Sequence, residues 1–223
     1  MNIIVCICSK YPNPVLYECI SSLYNNQINS KYNNNHFNYK ICVVDSDSTD
    51  FSYYDKIKLD FPEVELLFTK NINYEYGAYN CVRNTYPNYD IYFCIQDSII
   101  INKYIDISKI DDSTAYIHDH HSGYYSYNQY GKDLGIQYLS DSGLDYTTII
   151  DMPFNLAQHN LFIISNLVIH DMFTKLKHPP VNKDGSCTYE RIFGIYFILQ
   201  KMNTINFSDC ITKYHCSLSH SRK

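Results

Sequence analysis

Tryptophan is absent from the 223 residues, while tyrosine occurs 24 times beside many asparagines. That bias points to an AT-rich coding sequence, such as a viral one, and carries little information about function. No apolar run approaches the roughly 18 residues needed to cross a bilayer, and the segment IIVCIC is entered without a basic stretch or a small-residue cleavage site. The expectation is a chain with no membrane span that stays in the cytoplasm, or in the host cytoplasm if the source is viral. Basic residues are also in deficit, 18 Lys and Arg against 23 Asp and Glu with a pI near 5.9, which disfavours a general nucleic-acid binder. Repeated CxxC spacing is missing too. The nine cysteines are scattered mostly inside apolar segments, as at Cys6, Cys8, Cys42 and Cys94, so buried reduced thiols are expected rather than disulfides or a zinc cluster. Neither the G-x-G-x-x-G fingerprint nor a glycine-lysine phosphate loop occurs, so the phosphates of any bound nucleotide would need a metal or cationic side chains.

What is present is a chain that is 45% hydrophobic, enough for one substantial core and a single domain. IIVCIC reads as a strand feeding a helix, with Asn13 as cap, Pro14 at the first helical position and Val15, Leu16, Cys19, Ile20 and Leu23 at helical spacing. The asparagine-rich stretch 25–40 has no period and reads as a surface connection. ICVVD, EVELLF (63–68) and DIYFCI (90–95) read as further strands, with a helix over 74–86 before the last. Beyond Gln96, TAYIH (114–118), TTIID (147–151) and LFIIS (161–165) are strand candidates, and residues 189–202 form a helix. Strands alternating with helices imply an α/β fold with a mainly parallel central sheet flanked by helices.

In such sheets ligands bind outside the carboxyl ends of the strands. Ser9, Asp45, Asn71 and Gln96-Asp97-Ser98 all stand at such ends. A carboxylate there can accept hydrogen bonds from a base or ribose, or hold a divalent cation against a diphosphate.

These residues resemble the nucleotide-sugar glycosyltransferases of family 2, which have the GT-A (Rossmann-like) fold. VVDSDSTD (43–50) is similar to that family's V-V-D-D-G-S-T-D, and Cys8-Ser9-Lys10-Tyr11 stands where it has P-T-Y-N. Asn71, Gly77, Ala78 and Asn80 follow its N…GA-x-N, while Ile95-Gln96-Asp97-Ser98 resembles a D-Q-D-S variant of the D-x-D motif with the first acid lost. The resemblance implies a donor-binding half over residues 1–100 and an acceptor-binding and catalytic half over 101–223 of one domain. It implies that Ser9, Asp45, Asp47, Ala78, Gln96 and Asp97 serve a nucleoside diphosphate sugar, with Lys10 and Arg83 available to neutralise the diphosphate. A divalent cation, Mn or Mg, would be held by Asp97 and by His215, although loss of the acid at Ile95 weakens that site.

An inverting transferase needs a base for the hydroxyl of its glycan or other acceptor. Glu190, read as opening the last long helix, is the first candidate, and Asp119 in HDHH (118–121) is its rival. A carboxylate in a first helical turn also simply complements the helix dipole. Gln158 and His159, in FNLAQHNLFIIS, are acceptor-side candidates by the same resemblance. Two other readings stand beside a transferase: a protein that kept the fold and lost turnover, which Ile95 favours, and a nucleotidyltransferase, whose basic glycine-rich loop is missing.

Overall fold

The computed structural model describes residues 1–33, 37–121 and 129–214. The first strand, β1 (Asn2–Ser9), is apolar on both faces because both faces are covered. Ile3, Val5 and Ile7 pack with one hydrophobic cluster and Ile4 and Cys6 with another, so the sheet lies between two cores. Its neighbours β2 (Asn38–Ser46) and β4 (Ile91–Gln96) run parallel to it, and β3 (Glu65–Thr69) runs parallel to β2. β6 (Thr114–His121), β7 (Asn155–Ser165) and β8 (Asn203–Asn206) complete a seven-stranded sheet of order β3-β2-β1-β4-β7-β6-β8, in which β7 is antiparallel to both β4 and β6. β5 (Ile99–Ile101) leaves the end of β4 and pairs antiparallel with β9 (Ile211–Lys213) in a separate ribbon.

Helix α1 (Pro14–Leu23) starts where Asn13 accepts the Val15 N–H at 2.8 Å, and buries Leu16, Cys19, Ile20 and Leu23 on one side of the sheet. Each such Leu or Ile contributes about 2 kcal/mol of transfer free energy. α2 (Ser52–Asp60) joins it through Tyr54 and Ile57. The opposite face is covered by α3 (Tyr74–Thr85), α4 (Gln129–Asp141), α5 (Asn166–Lys175) and α6 (Lys183–Leu199), and α6 is buried along most of its length. Gly194 lets α6 lie on β7: a Cβ there would stand 2.4 Å from the Asn155 carbonyl oxygen.

Three expectations are corrected. Residues 147–151 form turns, because this short apolar run has no partner strand. The asparagine-rich connection begins as a π-helical turn, Tyr24–Ile28, that extends α1 and buries Gln27. The last long helix starts at Lys183, not near Tyr189, with Asn182 accepting the Gly185 N–H at 2.8 Å. Glu190 therefore sits in the helix interior, where a dipole explanation for it no longer applies. All described cysteines are free thiols.

Candidate active site

Parallel strands β1, β2 and β4 bring Ser9, Asp45 and Gln96 to one edge, and their register is exact enough to pair Ser9 with Asp45 and Cys8 with Gln96. Asp45, only 3% exposed, accepts the Ser48 N–H at 3.0 Å and the Tyr54 hydroxyl at 2.6 Å. Ser48 Oγ in turn accepts the Tyr11 N–H at 3.0 Å. The acid thus shapes the turn after β2 and ties it to the loop after β1. Asp47, at φ 63°, occupies the left-handed conformation for which the resembling motif carries glycine, and its N–H is held by the Thr69 carbonyl at 3.1 Å. Beside Asp45 opens a cavity of about 780 Å³ walled by Phe51, Tyr54 and Phe68, with Thr69 at its rim.

Across the strand ends, Ser9 Oγ donates to Asp97 Oδ2 at 3.0 Å and the Lys10 N–H approaches the same oxygen at 3.4 Å. Gln96 points to the other face. Its Nε2 donates to Glu75 Oε1 at 2.7 Å, and its Oε1 accepts from Lys213 Nζ, which also donates to Ser98 Oγ. The ribbon explains that contact, because β9 places Lys213 directly opposite Ile99.

Glu75 was not anticipated. It is 6% exposed in the first turn of α3, and its second oxygen accepts from Ser186 Oγ at 2.8 Å and from Asn160 Nδ2 at 3.4 Å. The signal was a carboxylate on the apolar stripe of the helix, in line with Ala78, Tyr79 and Val82. Ser186 comes from the first turns of α6 and Asn160 from β7, so this one acid joins three elements.

Glu190, one helical turn beyond Ser186, faces the same place. Burial pushes its carboxyl up to about 7; the Arg191 charge lowers it, the negative charge of Glu75 raises it, and the His159 N–H bonded to it lowers it again. His159 and Asn160 are positioned by a bulge: between the pairs Ile117↔Phe162 and Asp119↔Ala157 the two strands fall out of step, and His159 and Asn160 take φ 57° and 58°. Such left-handed non-glycine residues cluster at functional sites. Their consequence here is to aim an N–H at Glu190 and an amide at Glu75.

The chain shows its affinity at the level of fold. No family model matches the sequence, and comparison with curated proteins gives no match. Among solved structures, TarS from S. aureus superposes with a TM-score of 0.50 at 9% identity, over 93% of this chain and 35% of that one. TarS is a glycosyltransferase of GT-A-like architecture. This chain has the GT-A fold. It spans about a third of TarS, and at this identity the likeness fixes architecture and leaves substrate open.

Two of the anticipated residues, Ala78 and Arg83, are directed away from these strand ends, while Asp119 and Gln158 lie at the bulge. Ala78 is fully buried against β1, where its carbonyl accepts from the Cys6 thiol at 3.8 Å, so its side chain packs and does not face a ligand. Arg83 lies in the last turn of α3, its guanidinium on the His170 carbonyl at 3.4 Å and over the Phe173 ring, which leaves it roughly 12 Å along the helix axis from Glu75. Asp119 stands on β6 with its N–H on Asn206 Oδ1 at 3.3 Å. The neighbouring His118 ring is 5.4 Å from that of His159. Gln158 lies in the same bulge of β7. His215 falls outside the described residues.

A divalent cation fits the described residues around Asp97 poorly. Ile95, where the resembling motif has its first acid, is fully buried in the core with Ile7 and Ile99. The two oxygens flanking Asp97, on Gln96 and Ser98, are held by an ammonium, whose charge opposes a second cation. Among the described residues no group of three or more His, Cys, Asp or Glu side chains could hold a metal ion.

Proposed function

We propose that the chain is a glycosyltransferase that moves a sugar from a nucleoside diphosphate sugar to a hydroxyl of a glycan or other acceptor, with inversion at the anomeric carbon. The observation that carries this reading is Glu190, a buried carboxyl raised to about 7 that lies within reach of the Glu75 charge, while Glu75 itself is bonded through Gln96 to the strand ends that bear Ser9 and Asp97. A base poised near neutral pH is what abstraction of a hydroxyl proton calls for. The donor half, residues 1–100, supplies the edge of β1, β2 and β4; the acceptor half, 101–223, supplies Glu190 and the β7 bulge.

In this reading the nucleoside lies beside Asp45, where the exposed rings of Phe51 and Phe68 offer a stacking surface. The sugar then sits between Asp97 and Glu190. The acceptor oxygen attacks the anomeric carbon and gives its proton to a Glu190 carboxylate oxygen. The bond from that carbon to the diphosphate breaks, and the diphosphate leaves with the bonding electrons. Glu75 keeps Gln96, Ser186 and Asn160 in place, and its negative charge adds to the burial that raises the Glu190 carboxyl.

Thermal stabilisation of the protein by a panel of nucleoside diphosphate sugars, followed by assay of slow donor hydrolysis, tests the reading, because a ligand of the native state raises its melting temperature. One donor that stabilises and is hydrolysed upholds a transferase. Stabilisation by a donor with no turnover, even with glycan acceptors added, supports instead a binding protein on this scaffold, the reading that Ile95 in the core favours.

A further inference from the structure

Three features of the D-x-D-like segment converge on one side chain. The first acid is replaced by Ile95, which is fully buried, so no rotation of that side chain can offer charge to the cleft. The remaining oxygens beside Asp97, Gln96 Oε1 and Ser98 Oγ, both accept hydrogen bonds from Lys213 Nζ. Lys213 is held there by backbone: β9 pairs Lys213 with Ile99, and the Tyr214 N–H donates to the Ser98 carbonyl at 2.9 Å.

We infer that Lys213 is the resident cation of the donor site, and that it neutralises the diphosphate of the donor and of the departing product without a divalent metal. The inference rests on the donor reading above and adds to it the means of charge stabilisation. An ammonium positioned by Gln96 Oε1, Ser98 Oγ and the backbone pairing of β9 is a preorganised point charge, the kind of group that stabilises developing negative charge on a leaving phosphate. Its position in the acceptor half gives the C-terminal ribbon a chemical purpose, since β9 otherwise only extends a two-stranded sheet. It also accounts for the loss of the acid at Ile95: with an ammonium in place, a second carboxylate would only weaken attraction for the diphosphate.

The probes are UDP, GDP, CDP and dTDP, titrated calorimetrically into the full chain in EDTA and again with MnCl2 or MgCl2. The expected result is that at least one binds, and that metal changes its Kd by less than about threefold, which is within ordinary ionic effects. Lys213→Ala should weaken that binding about tenfold or more in EDTA, while Lys213→Arg, which keeps the charge, retains most of it. Because Lys213→Ala also frees the oxygens of Gln96 and Ser98, Mn2+ should strengthen binding to this variant and not to the parent. A merely structural lysine would show no such exchange of ammonium for metal. Binding by the parent that needs Mn2+ or Mg2+ overturns the inference and leaves the donor reading standing. Undiminished binding by folded Lys213→Ala in EDTA overturns it as well. If Lys213→Ala fails to fold, the parent's response to metal still decides. Absence of binding by every diphosphate, with or without metal, sinks the donor reading and this inference together.

Discussion

Glu190 has an ordinary carboxyl chemistry in an unusual place: an interior turn of α6, partly buried, next to a second acid. If it is the base, turnover should rise with pH through an apparent pKa near 7, and Glu190→Gln should remove that limb together with about a hundredfold or more of the rate. A pH–rate profile of both proteins checks this. Folding carries a matching signature. The native carboxyl holds its proton up to about 7 while the unfolded one releases it near 4.5, so in that window the native state binds more protons and stability falls as pH rises, levelling off above it. The loss is at most about 3 kcal/mol, and Glu190→Gln should flatten it in urea titrations run from pH 4 to 8. Glu75 is the structural counterpart. Glu75→Ala leaves the donors of Gln96, Ser186 and Asn160 without their shared acceptor, and should cost roughly 2–4 kcal/mol by denaturant unfolding.

At the scale of elements, the turn from β3 into α3 decides whether Glu75 reaches the cleft. Asn71 bridges Ser46 Oγ at 3.1 Å, the Tyr74 carbonyl at 2.7 Å and the Asn73 N–H at 2.9 Å, and Gly77 makes room for it. A Cβ at residue 77 would fall 2.0 Å from Asn71 Oδ1. Gly77→Ala should therefore destabilise by about 1–3 kcal/mol and, by shifting the first turn of α3, weaken donor binding more than an equally destabilising change in α5. Calorimetric Kd values for the two variants, set beside their urea midpoints, make the comparison. The N…GA-x-N pattern was thus legible as a motif, yet its physical content, a glycine yielding space to an asparagine staple, emerged only from the packed turn.

The whole molecule distributes its stability unevenly. β1 is paired on both sides and covered by both cores, whereas β3 and β8 are the edges of the sheet. Amide hydrogen exchange should be slowest in β1 and β4, opening only with global unfolding, and fastest among the strands in β3 and β8. Exchange rates as fast in β1 as in β8 would refute that order. Among the described residues no helix is long and apolar enough to cross a membrane. The proposed site draws on both halves of the chain: Ser9, Asp45 and Asp97 come from the first, Asn160, Ser186, Glu190 and Lys213 from the second.

That division is also the line between what could be read from sequence and what could not. β1, β2 and β4 are continuous apolar runs because they are buried on both faces, so their ends, and with them Ser9, Asp45, Gln96 and Asp97, were fixed by local pattern alone. TTIID carries a similar apolar signal without a partner strand, and pattern cannot tell the two apart. Glu75 and Glu190 meet only because α3 and α6 cover the same face of the sheet, and Lys213 reaches Gln96 only because two three-residue strands pair across 110 residues of chain. Strand identity and strand-end chemistry are written in short-range order. The charge arrangement around Glu75, Glu190 and Lys213 is a product of long-range packing, which no local window of the sequence contains.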